Sequence, residues 1–148
     1  MKITDALKGV QRLYIETAPL IYYVEEHPNY IAKMDAIIEA MDHAGLTAVS
    51  SVITLTEVLN QPMKMSNQKL EQEYRDILVN SGSYQLVAIN IQIAEAAAGF
   101  RARYGLRTPD ALHVASAIST ACDAFLTNDT GIKRVTELSI LILDELEL

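Results

Sequence analysis

Features that mark extracellular or membrane-bound proteins are missing from this chain. Cys122 is the only cysteine, so no intrachain disulfide can form. No apolar run approaches the roughly 18 residues needed to cross a bilayer. Residues 1–8 also lack the apolar stretch that a secretory signal requires. These absences favour a cytoplasmic protein with no membrane partner.

Internal repeats, low-complexity tracts and linkers rich in glycine or proline are absent as well, which predicts one folded domain over residues 1–148. Half of the residues are hydrophobic, so a substantial core is available and general disorder is disfavoured. The formal net charge of −7 argues against nonspecific binding of polyanions. The charge is uneven, however, because residues 99–134 hold five cations and only three anions.

Short apolar segments alternate with segments of helical periodicity along the chain. Strands are predicted over residues 12–15, 46–51, 84–87, 124–126 and 138–143. Helices are predicted over residues 17 onward, 31–44, 52–59, 66–81, 90–104 and 108–121, with a helical turn at 128. The alternation predicts an α/β fold of three layers, in which helices cover both faces of a mainly parallel sheet of about five strands.

Hydroxyl-bearing residues and prolines mark the ends of several predicted helices. Thr17 is the predicted N-cap of the first helix, and Thr108 is the predicted N-cap of the last one, with Pro109 following it. The dipeptide Gln61-Pro62 is expected to end the helix that follows the second strand, because proline lacks an N–H donor.

Four acidic residues lie where a predicted strand ends or a predicted helix begins: Glu16, Glu57, Asp110 and Asp129. Open α/β sheets gather their reactive groups at the carboxyl edges of the strands. Carboxylates that converge there repel one another, and they persist by holding protons or by binding hard cations such as Mg²⁺ or Mn²⁺. The leading interpretation is therefore a metal-dependent phosphodiesterase.

Each acid has a simpler explanation when it is taken alone. Asp110 is a favourable residue for the first turn of a helix, and Asp129 is suited to capping its own turn. Glu57 alone is most simply a solvated surface residue. Glu16 is harder to explain in this way, because an acid directly after a short apolar strand risks a costly burial.

Three segments carry a family resemblance: residues 14–23 (YIETAPLIYY), 108–117 (TPDALHVASA) and 122–129 (CDAFLTND). Together with the segment around Glu57, they resemble the PIN-domain nucleases, which include the VapC-type toxins of bacteria, over about residues 12–143. The resemblance implies a twisted parallel sheet, RNA cleavage with Mg²⁺ or Mn²⁺, a homodimer, and an antitoxin protein as a possible partner. It also assigns the metal ligands to Glu16, Glu57, Asp110 and Asp129.

One ligand position departs from the family pattern, which normally has aspartate where this chain has Glu16. The extra methylene moves the carboxylate by roughly 1.5 Å along an extended side chain. The alternative hypothesis is therefore a catalytically weak or inactive PIN domain that binds nucleic acid or protein. A receiver-like phosphoacceptor is disfavoured because Glu16 has no acidic neighbour, and a Rossmann cofactor domain because no G-x-G-x-x-G follows the first strand.

Other residues are predicted to support the four acids. Thr17, Thr127 and Asn128 are candidates for hydrogen bonds that fix the carboxylates. His113 lies one helical turn after Asp110 and is expected to pack or hydrogen-bond structurally rather than to touch substrate. The candidate RNA-binding residues are Arg101, Arg103, Arg107, Lys133 and Arg134.

Overall fold

The chain forms a five-stranded sheet in which every neighbouring pair of strands is parallel. The structure is a computed structural model that describes residues 1–82 and 84–148. The strands are β1 (Arg12–Ile15), β2 (Thr47–Ser51), β3 (Tyr84–Val87), β4 (Ala124–Thr127) and β5 (Ser139–Ile142), in the order β3-β2-β1-β4-β5. The predicted three-layer α/β architecture is confirmed.

Seven α-helices accompany the strands in the described chain, and all but the first lie between strands. They are α1 (Ile3–Ala6), α2 (Thr17–Val24), α3 (Ile31–Ala44), α4 (Val52–Lys64), α5 (Gln68–Arg75), α6 (Ile91–Tyr104) and α7 (Thr108–Ser119). A π-helical turn (Asp76–Asn80) extends α5, and 3-10 turns cover Thr130–Arg134 and Leu143–Glu145. Within the described residues, no helix has the length and apolarity needed to span a bilayer.

The two faces of the sheet carry separate hydrophobic cores, as the alternation of side chains along a strand requires. Leu13 and Ile15 of β1 point into one core, which the helices α1, α2, α3 and α5 help to cover. Tyr14, between them, points into the other core and stacks on Phe125 of β4 with 5.0 Å between ring centroids. Helices α6 and α7 cover that second face.

The strand order places the acidic positions at one edge. β1 lies at the centre of the sheet and pairs with β2 on one side and β4 on the other. The chain passes from β1 to β2 in one direction and reaches β4 on the opposite side, so the strand order reverses at β1. In open parallel sheets, this reversal opens a crevice at the carboxyl ends of the strands.

The prediction that Gln61-Pro62 ends a helix is wrong. Helix α4 continues through Pro62 to Lys64. Proline costs the helix one backbone hydrogen bond, but its fixed φ is compatible with helical geometry. Pro62 is buried, so packing of its ring offsets part of that cost.

The predicted capping residues are wrong by one position at two helices. Glu16 is the N-cap of α2 and Arg107 is the N-cap of α7, so Thr17 and Thr108 are already helical. The Thr17 hydroxyl donates instead to Oε1 of Glu57, 2.9 Å away. The Thr17 hydroxyl thus forms a tertiary hydrogen bond with Glu57 instead of the local capping hydrogen bond that the sequence predicts.

The start of another helix also differs from the prediction, and one short helix was not predicted. The helix predicted from Ser66 begins at Gln68, because Asn67 accepts from the amide of Leu70 and caps it. The short helix α1 was not predicted. It is fixed by the burial of Ile3, whose amide also donates to the carbonyl of Glu147 at 2.8 Å.

Candidate active site

Glu16 lies directly after the central strand and is buried, with 8 % of its surface exposed. Its amide continues the sheet by donating to the carbonyl of Leu126 at 3.0 Å. Its Oε2 accepts a hydrogen bond from the hydroxyl of Thr127. Burial raises the pKa of Glu16, the Thr127 hydrogen bond opposes that rise, and repulsion from Asp110 and Asp129 adds to it.

Thr127 connects two of the predicted ligands. Its hydroxyl oxygen donates to Glu16 and accepts from the amide of Asp129, 3.0 Å away. Oδ1 of Asp129 accepts from the amide of Gly131 at 2.8 Å, so Asp129 caps the 3-10 turn that follows β4. The simpler capping role of Asp129 is therefore real, and it engages only one of its two carboxylate oxygens.

Asp110 lies in the first turn of α7 and is 8 % exposed. Its Oδ2 is 3.2 Å from Nε of Arg107, three residues earlier in the chain. The pKa of Arg107 is raised by that hydrogen bond and ion pair, and more weakly by the charges of Asp129 and Glu16. One guanidinium therefore lies in the electric field of three carboxylates that come from three different parts of the chain.

Glu57 projects from α4 and is held by two donors on the same oxygen. Its Oε1 is 2.9 Å from the hydroxyl of Thr17 and 2.7 Å from Nε2 of His113. Burial opposes ionisation of Glu57, but the hydrogen bond with His113, the Thr17 hydroxyl and the charge of Arg107 leave its pKa lowered. The Glu57 side chain is therefore readily ionised and is 36 % exposed.

The four carboxylates share one arrangement: the chain's own donors engage one oxygen, and the other oxygen has no hydrogen-bond partner in the described chain. The unengaged atoms are Oε1 of Glu16, Oε2 of Glu57, Oδ1 of Asp110 and Oδ2 of Asp129. An all-oxygen donor set of this kind fits the ligand chemistry of Mg²⁺ or Mn²⁺.

The predicted ligands do not surround a common point in this geometry. Within residues 1–82 and 84–148, no three side chains of His, Cys, Asp or Glu are already placed to hold one ion. The donor chemistry therefore fits a divalent cation, while coordination by three of these groups requires side chains to rotate. In this geometry, Arg107 supplies positive charge beside Asp110.

The predicted supporting residues divide into two kinds. Thr17 donates a hydrogen bond to Glu57, and Thr127 donates one to Glu16. Asn128 makes a different contact, because its Oδ1 accepts a hydrogen bond from the backbone amide of Asp144 at 2.9 Å. Asn128 therefore ties the loop after β4 to the 3-10 turn that follows β5.

Three of the five candidate RNA-binding cations are paired with acids of the same chain. Arg103 pairs with Glu137 and Lys133 with Glu145, in addition to the pair between Arg107 and Asp110. Arg101 and Arg134 are exposed and form no ion pair in the described part of the chain. All five assignments remain predictions.

Sequence reasoning missed the contact between His113 and Glu57. His113 is 1 % exposed, and its second nitrogen, Nδ1, is 2.6 Å from the hydroxyl of Tyr14. The available signal was the spacing of three residues between Asp110 and His113, which places both on neighbouring positions of one helical face. That spacing could not identify the partner on α4.

The fold is similar to those of several solved structures. VapBC2 from Rickettsia felis, solved with a DNA fragment from its promoter, aligns with a TM-score of 0.72 and 16% identity over 88% of this chain and 98% of that chain. A toxin–antitoxin complex from Klebsiella pneumoniae aligns with a TM-score of 0.68 and 20% identity, over 88% of this chain and 97% of that chain. FitAcB from Neisseria gonorrhoeae aligns with a TM-score of 0.69 and 14% identity, over 90% of this chain and 99% of that chain.

No curated protein matches the chain significantly in sequence. The family model described as "PIN domain" matches residues 13–138. That span runs from the second residue of β1 to the residue before β5, and it contains β2, β3, β4 and all four acidic residues of the candidate site. The chain therefore belongs to the PIN domain family.

Proposed function

We propose that the protein is a divalent-metal-dependent endoribonuclease that hydrolyses phosphodiester bonds of RNA. The observation that carries this proposal is the set of four carboxylates, each fixed through one oxygen and open at the other. Membership of the PIN domain family supports the same assignment. Mg²⁺ and Mn²⁺ are the proposed cofactors because both prefer oxygen ligands and tolerate bound water.

The proposed ligands are the four acids, and their roles differ with their surroundings. Asp110 and Asp129 are the principal ligands: Asp110 lies in the first turn of α7, Asp129 caps the 3-10 turn after β4, and each keeps one oxygen unengaged. Glu16 completes the inner set from the end of β1. Glu57, held by Thr17 and His113, binds a second ion or orients the attacking water.

When bound, the divalent cation supplies charge stabilisation at the scissile phosphate and lowers the pKa of an attacking water. The chain's part is to hold the carboxylates in place. Thr127 restrains Glu16 and the backbone of Asp129 together, which keeps both acids at the junction of β1 and β4. Arg107, with an 81 % exposed side chain, can turn from Asp110 toward a phosphate of the substrate.

We further propose that the protein is the toxin of a type II toxin–antitoxin pair. This rests on the fold, because the similar structures named above are a toxin–antitoxin complex, VapBC2 and FitAcB. Their identities of 14–20% establish likeness of fold alone. A small DNA-binding protein encoded beside this chain would be the proposed antitoxin.

One observation favours a second candidate, a PIN domain that binds nucleic acid or protein without cleaving it. No three potential ligands of the described chain are gathered around one point, and Arg107 already neutralises part of the acidic charge. This candidate predicts that calorimetry detects no Mn²⁺ binding at millimolar concentration. It also predicts that Glu16→Asp, which restores the usual family residue, creates or strengthens that binding.

The proposed activity is tested by comparing two ligand variants with a matched control. Asp110→Asn and Asp129→Asn should abolish Mn²⁺-dependent cleavage of RNA while the circular dichroism spectrum is unchanged. Asp42→Asn makes the same chemical change at an exposed position near the end of α3, at the opposite edge of the sheet, and should cleave like the wild type. Full metal-dependent turnover by both ligand variants would overturn the proposal.

A further inference from the structure

His113 is buried and uses both of its ring nitrogens. Nδ1 is 2.6 Å from the hydroxyl of Tyr14, and Nε2 is 2.7 Å from Oε1 of Glu57. Only 1 % of His113 and none of Tyr14 is exposed. Buried polar atoms of a native protein are normally hydrogen-bonded, and here both contacts are short and specific.

The chemistry of the partners sets the direction of these hydrogen bonds. An ionised carboxylate can only accept, so Nε2 carries the proton that it donates to Glu57. In the neutral ring, Nδ1 is then the acceptor, and the Tyr14 hydroxyl donates to it. The chain Tyr14 → His113 → Glu57 therefore runs from the core to the half-exposed carboxylate.

The imidazole cannot turn easily, because the core holds the ring of its donor. Tyr14 lies on the central strand β1 and stacks on Phe125 with an interplanar angle of 6°. Its ring meets the His113 ring edge-on at 5.7 Å between centroids. The orientation of His113 is thus set by a residue of the central strand.

His113 also connects the two helices that carry proposed ligands on this side of the site. Asp110 and His113 are three residues apart on α7, and Glu57 projects from α4. The hydrogen bond from Nε2 therefore fixes the Glu57 carboxylate relative to the helix that bears Asp110. It also occupies Oε1 and leaves Oε2 as the unengaged oxygen.

From this geometry we infer that His113 is a positioning residue for Glu57, acting through its Nε2–H donor and held in place by the hydroxyl of Tyr14. The inference rests on the proposed nuclease function. It assigns His113 a role in turnover rather than in folding alone, and it makes Tyr14 the residue that sets the imidazole.

Two variants separate the positioning role from the packing role. In His113→Gln, the side-chain amide reaches the place of Nε2, so a donor to Glu57 is retained and the contact with Tyr14 is lost. In His113→Asn, the shorter amide reaches only the place of Nδ1, so the contact with Tyr14 is retained and the donor to Glu57 is lost. Each variant keeps one hydrogen bond, which makes their stabilities comparable.

The two variants should differ in catalysis. Outer hydrogen bonds to metal-site residues are typically worth 10- to 100-fold in activity or metal affinity, so His113→Asn should lower kcat by about that factor with little change in KM. His113→Gln should keep most of the wild-type kcat. Melting temperatures measured in EDTA show whether stability differs between the two.

A double variant tests whether His113 acts through Glu57. Glu57→Gln combined with His113→Asn should be no slower than Glu57→Gln alone, because residues that act as one unit are not additive. Additive losses would mean that His113 contributes independently of Glu57, and the inference would fail.

A spectroscopic measurement checks the hydrogen-bond direction without any activity. In the metal-free wild type, ¹⁵N NMR of labelled histidine should show that Nε2 of His113 is protonated. Tyr14→Phe should shift the Nδ1 resonance, since its donor is removed. An unprotonated Nε2 would overturn the inference.

The outcomes distinguish this inference from the proposed function. If the wild type cleaves RNA and the Gln and Asn variants lose activity equally, in proportion to their loss of stability, His113 is only a core residue. If the wild type neither binds Mn²⁺ nor cleaves RNA, the proposed function fails, and the positioning role in turnover fails with it.

Discussion

The hydroxyl of Thr127 donates a hydrogen bond to Oε2 of Glu16, although the two residues are 111 positions apart in sequence. They meet because β1 and β4 are adjacent parallel strands, paired from Leu13 with Ala124 to Ile15 with Leu126. Both side chains are buried. This contact restrains the one proposed ligand that departs from the usual aspartate of the family.

Removal of the Thr127 hydroxyl should therefore weaken metal binding. Thr127→Val preserves the shape of the side chain but leaves Oε2 of Glu16 without its donor. We expect the affinity for Mn²⁺, measured by calorimetry, to fall by about 10- to 100-fold, as is typical for outer hydrogen bonds of metal sites. Thr127→Ser keeps the hydroxyl and serves as the control, and equal losses in both variants would contradict the argument.

The raised pKa of Glu16 predicts a pH dependence of stability in the metal-free protein. A carboxyl whose folded pKa exceeds its ordinary value of 4.5 favours the protonated form, so its contribution is complete below that value and is lost as the pH rises through the folded pKa. The non-titrating Glu16→Gln variant should therefore gain stability relative to the wild type as the pH rises from about 4.5 toward neutrality.

The gain in the free energy of unfolding of Glu16→Gln measures how far the pKa of Glu16 is raised in the folded protein, because one pKa unit corresponds to about 1.4 kcal/mol. It is obtained from urea unfolding of both proteins in EDTA across the pH range. Asp42→Asn, which removes an exposed acid instead, controls for a general change of net charge. A wild type that becomes relatively more stable as the pH rises would contradict the burial argument.

Mn²⁺ should raise the melting temperature of the wild type, because a ligand that binds only the native state stabilises it. At a free concentration of 100 times Kd the stabilisation is about 2.7 kcal/mol. For a chain of this size, each kcal/mol corresponds to roughly 2–4 °C. Differential scanning calorimetry should show the shift in Asp42→Asn and not in Asp129→Asn, and a shift of equal size in both would place the metal elsewhere.

Arg107 should act as a competitor of the divalent cation as well as a phosphate contact. Arg107→Gln removes the guanidinium from Asp110, so the affinity for Mn²⁺ should rise, by about fivefold or less because exposed ion pairs contribute little. The affinity for RNA should fall at the same time, with a shallower dependence on salt.

Arg103→Gln is the matched control for this prediction, since it breaks the comparable exposed pair with Glu137. It should leave the affinity for Mn²⁺ unchanged. If Arg107→Gln weakens Mn²⁺ binding instead, the guanidinium supports the site rather than competing for it.

The fold and the four acids were accessible from the sequence because both depend on local pattern. Glu16 directly follows an apolar strand, and Asp110 directly follows the helix-start residues Thr108-Pro109. The local sequence therefore predicts that both lie at the carboxyl edge of a parallel sheet. The order of strands and helices required only hydrophobic periodicity and turn residues.

The remaining features depend on contacts between distant residues. Tyr14 and His113 are 99 positions apart, and no local pattern shows that their side chains meet. Thr17 looks like a capping residue until Glu57 competes for its hydroxyl. Pro62 looks like a helix end until its burial is known. In each case tertiary packing outweighs a local preference of a few kcal/mol or less.

The central claim is that carboxylates from β1, α4, α7 and the turn after β4 hold a divalent cation. A crystal soaked in Mn²⁺ and measured near the manganese absorption edge tests it most directly. The account predicts an anomalous peak at oxygen-ligand distance from Asp110 and Asp129, with Glu16 or Glu57 completing the shell. A peak elsewhere, or Asp110 still paired with Arg107 and no peak at all, would contradict it.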